Sequence, residues 1–321
     1  MRLRTLTLVA AMLLPLGSCT SKDSSADAEA KPEAGGVETV EIPVGEPPRI
    51  EVHDEGQEPR HPLRLRVTAG TEEDLEMSMG MRMAMDTGAQ RIPPMQIPTS
   101  KTRLHAKVES VSGDTFEVRQ SVSSVEVIPM DGSPPEVADK MRESLAPLTS
   151  YRALMSMSDR GTVLGGKVEI PRDLPPMVHN TMQQMTQSLG QIAVPMPEPA
   201  VGPGARWTAV NELSQNGMRL RQTSDYTLVS WEGERALISL TVRQELVDPD
   251  ISVPGMLGAK ARVSDFRSSG EGSVELEPGH VTPSSMHMAM ELAMTMDVTV
   301  MGQSQHMDME MGIDLTMELV D

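Results

Sequence analysis

The sequence predicts an α+β domain that is mostly β, one large antiparallel sheet of about eleven strands accompanied by two helices. Three observations point there. Apolar residues alternate with polar ones in run after run between turn signals, which is the period of a half-buried strand. Methionine itself alternates in three runs, Met77 to Met85, Met286 to Met296 and Met307 to Met317. Two short stretches break this habit and space their apolar residues as a helix does.

The chain opens with Arg2 and Arg4 and an apolar stretch from Leu6 to Leu16, too short to span a bilayer. Leu16-Gly17-Ser18-Cys19 follows and resembles the lipobox of bacterial lipoproteins. That resemblance implies a signal peptide over 1–18, cleavage before Cys19 and acylation of Cys19, the lipidation site. With Thr20 and not aspartate next, it further implies an outer-membrane protein facing the periplasm. Multiple acyl chains anchor a protein stably without a transmembrane span. Cys19 is the single cysteine, so no intrachain disulfide can form. Residues 19–60 are rich in Ser, Asp, Glu, Ala, Gly and Pro and read as a tether, since such composition buries too little apolar surface to offset ordering entropy. Within it, Val37 to Val52 carries short apolar pieces that can lie against the domain. Residues 61–321 form one domain.

Its elements follow in order. Leu63-Arg64-Leu65-Arg66-Val67 alternates as a strand, Gly70 marks a turn, and Leu75 to Met85 alternates again. Gly88 to Ser100, with Pro93, Pro94 and Pro98, reads as a loop. Leu104 to Val111 and Thr115 to Val127 make a hairpin around Ser112-Gly113-Asp114. Ser133-Pro134-Pro135-Glu136 is a capping box, and Val137, Met141 and Leu145 then recur at helical spacing. Strands near Tyr151 to Met157 and Thr162 to Ile170 turn at Asp159-Arg160-Gly161. A second helix runs from Pro175 to Leu189, with Val178, Met182, Met185 and Leu189 on one apolar stripe and Gly190 as its C-cap. Strands resume at Trp207 to Leu213, Met218 to Trp231, Ala236 to Leu246 and Ala261 to Val274, ahead of the methionine pair.

That closing pair permits a register. A turn centred on Gly302-Gln303, with glycine first as a type II′ turn requires, sets Met296 opposite Met309 and Met294 opposite Met311. All apolar pairs then share one face. The other face carries Glu291 against Asp314 and Asp297 against Asp308, like charges that only water can screen.

Methionine is a modest strand former where Val, Ile or an aromatic residue would be ordinary. The chain has 28 methionines but only two each of Trp, Tyr and Phe. Three uses fit a soft, unbranched apolar face. One is an apolar cavity for a lipid or acyl chain, lined by Met77, Met79, Met81, Met83, Met85, Val178, Met182, Met185, Leu189, Met288, Met290, Met294, Met296, Met307, Met309, Met311 and Met317. The second is Cu(I), the single cofactor alternative, held by Met294, Met296, Met309 and Met311, because thioethers select soft metals. His306 and His287 point away from those thioethers in a regular hairpin, so a mixed site is disfavoured. The third is a structural envelope lipoprotein whose methionines merely fill a core.

No nucleophile elbow, paired-histidine zinc motif, phosphate loop or cysteine nucleophile occurs, so no catalytic residues are assigned and no enzyme is expected. The formal charge is −18, and loss of Arg2 and Arg4 makes the chain two charges more negative. Such a surface repels nucleic acid and anionic membranes. A monomer, anchored to the membrane through acylated Cys19 and binding a lipid or lipoprotein, is the expectation.

The order of elements is similar to a family of uncharacterised bacterial lipoproteins, with an alternating segment at Leu63 to Val67, a Gly-x-Gly-x-x-Trp-like link at Gly202 to Trp207 and a Gly-x-Gly strand at Gly270-Glu271-Gly272. More distantly it resembles the lipoprotein-carrier superfamily of periplasmic lipid and lipoprotein carriers. That likeness implies a sheet curved into a half-open barrel, helices on its concave side and an apolar cavity for acyl chains.

Overall fold

The computed structural model describes residues 36–42, 46–88, 90–130, 133, 135–172, 174, 179, 182, 186, 194–215, 218–252, 260–300 and 303–320. The strands are β1 (Val37–Glu41), β2 (Arg49–Asp54), β3 (Glu72–Asp86), β4 (Arg91–Ser112), β5 (Thr115–Ile128), β6 (Arg152–Ser158), β7 (Val163–Pro171), β8 (Arg206–Gln215), β9 (Met218–Glu232), β10 (Arg235–Leu246), β11 (Asp250–Ser252), β12 (Lys260–Leu276), β13 (Ser285–Val300) and β14 (Gln303–Val320). One α-helix, α1 (Pro135–Leu145), runs into a 3₁₀ turn over Ala146–Ser150. Mostly β and antiparallel throughout, the described residues form a single sheet of fourteen strands, not about eleven, in the order β1-β7-β6-β5-β4-β3-β14-β13-β12-β10-β9-β8-β2, with β11 on β12.

The connectivity forces this sheet to bend. β1 lies at one edge and β2 at the other, yet Glu41 and Arg49 are eight residues apart. Eight extended residues reach at most about 29 Å. Twelve strand-to-strand steps laid flat would separate the edges by about 58 Å. Among the described residues no ladder joins β1 to β2, so the sheet curls without closing into a barrel. Both edge strands come from the segment whose composition reads as a tether. Their alternation, Val37-Thr39 and Ile50-Val52, is short enough to be outweighed by the surrounding Pro, Gly and Glu.

Residues 61–67 hold the curl at one end. Leu63, Leu65 and Val67 are buried while Arg66 is exposed, the alternation expected of a strand. Among the described residues they nonetheless pair with no strand. His61 exchanges hydrogen bonds with Val201, Leu65 N donates to the Asp159 carbonyl, and Arg66 N to that of Pro278. These partners belong to connections on both wings of the sheet, so the segment is a strap. A core cluster gathers it with Val108 and Val118 from one wing and Trp207, Leu228, Ile238 and Val274 from the other. Trp207 stacks on Tyr226 with centroids 5.3 Å apart and donates Nε1–H to the Pro195 carbonyl at 3.0 Å. Gly202 begins the link into β8 and has no room for a side chain, since a Cβ there would stand 1.8 Å from the Gln57 carbonyl oxygen.

Three further expectations change. Residues 91–100 are strand and not loop, because β5 ends at Ile128 opposite Thr99 and leaves the preceding prolines on an edge. Pro93 and Pro94 sit where the ladder to β3 shifts register, between Ile92 and Met95. The capping box does not form, as the buried Ser133 hydroxyl has no partner among the described residues. Most of the second expected helix, including Val178, Met185 and Leu189, lies outside the described residues, so among those described there is one full α-helix in place of two. His179, Met182 and Thr186 are helical, and Thr186 Oγ1 donates to the Met182 carbonyl at 2.8 Å. Among the described residues, no helix is long and apolar enough to cross a membrane.

Candidate functional site: the methionine face

Three adjacent strands, β3, β14 and β13, carry the methionines on one face. Met85, Met83, Ile313–Met81, Leu315–Met79 and Met317–Met77 run along the β14–β3 ladder, with Met309 and Met311 opposite the first two. Across β14 the opposing residues are Met296–Met307, Met294–Met309, Leu292–Met311, Met290–Ile313, Met288–Leu315 and Met286–Met317. On β4, Met95 opposite Met83 extends the face, a member the sequence reading missed because it stands among prolines.

The observed register differs from the expected one by two residues, with Val300 opposite Gln303. Because side chains alternate with period two, a slip of two preserves which face is apolar and changes only who meets whom. The physical gain is on the outer face. Asp297 now lies opposite His306, with His306 Nδ1 3.0 Å from Asp297 Oδ1, and Asp308 opposite Thr295, whose Oγ1 donates to it at 2.7 Å. Glu291 lies opposite Gly312. With no side chain there, Arg82 on β3 reaches over β14 to form an ion pair with Glu291. Between β13 and β14 the like-charge pairs thus give way to an imidazole, a hydroxyl and a guanidinium, while on the β3 side Asp308 still lies opposite Asp86.

His306 is exposed, and its hydrogen bond to Asp297, helped by Asp308, raises its pKa above the ordinary imidazole value. On the outer side of β3, hydrogen bonds from Lys107 and Lys101 hold the Glu72 and Glu76 carboxyls below theirs. A buried carboxylate anchors the far end: Glu73 accepts from Val281 N at 2.9 Å and from Thr282 Oγ1 at 2.8 Å, tying the β12–β13 connection to β3.

The methionine face divides into three parts. At one end Met286, Met288 and Met290 pack against the strap cluster. At the other, Met294, Met296 and Met307 are buried with Leu213, Leu220 and Val263, and Met85 and Met309 pack against them. Beside the first group, level with it on β14 and β3, Met77, Met79, Met81, Met83, Met311, Ile313, Leu315 and Met317 are half-buried and belong to no core cluster of the described residues. Met182 lies apart from this face, buried with Tyr151, Val168 and Ile170 in a third cluster on the β5–β7 wing.

Two surface concavities lie elsewhere. One of about 120 Å³ is lined by Arg119, Arg152, Lys167 and Glu169. A shallower one of about 420 Å³ is lined by residues of β9, β10, β12 and β13, among them Asp225, Leu240, Glu271 and His287. Among the described residues no group of three or more His, Cys, Asp or Glu is arranged to hold a metal ion.

No family model matches the chain, and no curated protein matches it. Among solved structures it is similar to a protein of unknown function from the DUF3598 family of Nostoc punctiforme PCC 73102, at 9% identity over 74% of this chain and 94% of that one, with a TM-score of 0.09. A likeness at that level carries no argument about fold or activity.

Proposed function

We propose that this protein is a lipid-anchored envelope protein, acylated at Cys19, whose methionine face binds an acyl chain without catalysis. The observation that carries the proposal is the strip on β3 and β14. It is apolar, half-exposed and unclaimed by the protein's own core, so core filling does not account for it. From Met77 to Met83 it runs about 20 Å, longer than the about 15 Å one leaflet's acyl chains occupy. Unbranched thioether side chains repack around a ligand of no fixed shape. The curled, unclosed sheet leaves such a strip an approach, as a half-barrel lipid carrier would require. The lipobox-like Leu16 to Cys19 supplies the anchor, and the alternative of a structural lipoprotein without ligand would leave the strip without a role.

Native mass spectrometry of the full chain, as wild type and as Cys19→Ser, tests both halves. Covalent acyl mass is expected on the wild type and not on Cys19→Ser, while non-covalent acyl-chain adducts are expected on both. Absence of those adducts from both proteins, or their persistence in an Ile313→Asp variant, would overturn the binding proposal.

A further inference from the structure

Core packing alone does not explain where the buried methionines are. Among the described residues, the strap cluster has twenty-one buried members with one methionine, Met196, the rest being aliphatic or aromatic. The cluster at the β13–β14 turn end has nine described members, of which four are methionines, Met218, Met294, Met296 and Met307. The same branched residues would fill that space as well and suit strands better.

We propose that Met294, Met296, Met307 and Met309, with Met85 beside them, form an all-thioether site for a soft monovalent cation, Cu(I). Met294 is directly opposite Met309, Met296 is directly opposite Met307, and Met309 is also opposite Met85. Opposed Cβ atoms stand about 4.5–5.5 Å apart, and alternate residues of one strand about 6.6 Å apart. Each sulfur lies two bonds beyond its Cβ, so four sulfurs can converge on one ion between the two strands. Met311, in the expected ligand set, gives its place to Met307 because of the two-residue slip.

The surroundings suit a soft ion and exclude hard ones. Met294, Met296 and Met307 are buried, which keeps water from the centre. His306, Asp297 and Asp308, the nearby hard donors, stand on the opposite face and bond one another or Thr295. Thioethers without imidazole or carboxylate select Cu(I) over Zn(II). The site is separate from the half-exposed strip, so it stands or falls independently of acyl-chain binding.

The test is anaerobic competition of the full chain against Cu(I)-bicinchoninate, with Met→Leu variants, which conserve volume and fold at little cost. One equivalent of Cu(I) should transfer to the wild type. Met294→Leu/Met309→Leu should weaken transfer by roughly ten-fold or more, the scale on which even a supporting residue of a metal site is felt. Met79→Leu/Met81→Leu, on β3 away from the turn end, should leave it unchanged. No transfer to the wild type, equal loss in both variants, or equal uptake of Zn(II) would each overturn the proposal. Acyl adducts that survive in Met294→Leu/Met309→Leu would show that the two sites fail separately.

Discussion

His306 shows how one residue depends on its register. Two residues away in the ladder it would have faced Thr299; as paired, it faces Asp297 and has Asp308 close by. The hydrogen bond to Asp297 favours the imidazolium, so the folded-state pKa lies above the unfolded one. The sign follows from linkage. The stabilisation is fully present below the unfolded value and is lost as pH rises through the raised folded value. An NMR titration of the His306 ring should therefore give a pKa above the ordinary value of about 6.5, and Asp297→Asn should bring it down. A His306 that titrates identically in both proteins would refute the paired register at this point. Gly312 makes the same argument by absence, since its lack of a side chain lets Arg82 cross β14 to Glu291.

At the scale of elements, β12 and β13 are pressed unusually close. A Cβ built on Gly272 would lie 2.2 Å from the His287 carbonyl oxygen, and on Gly270 2.7 Å from that of Ala289 and 2.3 Å from the Met290 sulfur. A thioether can swing away, but a ladder carbonyl cannot. Gly272→Ala should thus cost about 1–3 kcal/mol, as overpacking generally does, read as a lowered urea midpoint at constant m. No loss of stability would mean that the strands are farther apart than described. The Gly270-x-Gly272 pattern was visible in the sequence, but its reason, the approach of another strand's backbone, was not. The same boundary separates the rest of what was legible. Period and turn residues located β3, β5 to β10 and β12 to β14 because both are local signals. Partner choice is not local: whether 61–67 joins a sheet or straps one depends on where Asp159, Val201 and Pro278 arrive. Likewise, Pro93 and Pro94 look like a loop until β5 proves too short to flank them. For the site, parity placed the thioethers on one face correctly, whereas the pairs of thioethers that meet followed from outer-face charges.

For the whole molecule, the decisive quantity is how much of the methionine face the curl leaves open. The strap cluster covers the β13 side and a buried cluster fills the turn end, so exposure should be highest on β3 and β14 and fall toward both. Oxidation of thioether to sulfoxide reports this, because peroxide must reach the sulfur, which takes one oxygen and releases water. Under limiting peroxide, peptide mass mapping should find Met77, Met79, Met81 and Met311 oxidised well before the buried Met196, Met294 and Met296. If the strip is a binding surface, a bound acyl chain should slow the first group and leave the second unaffected. Sulfoxides would in turn make the strip polar and weaken acyl-chain binding, so oxidised protein should carry fewer non-covalent adducts. Protection of Met79 equal to that of Met196 in ligand-free protein would mean that the face is covered in solution, and the open-strip account would fail with it.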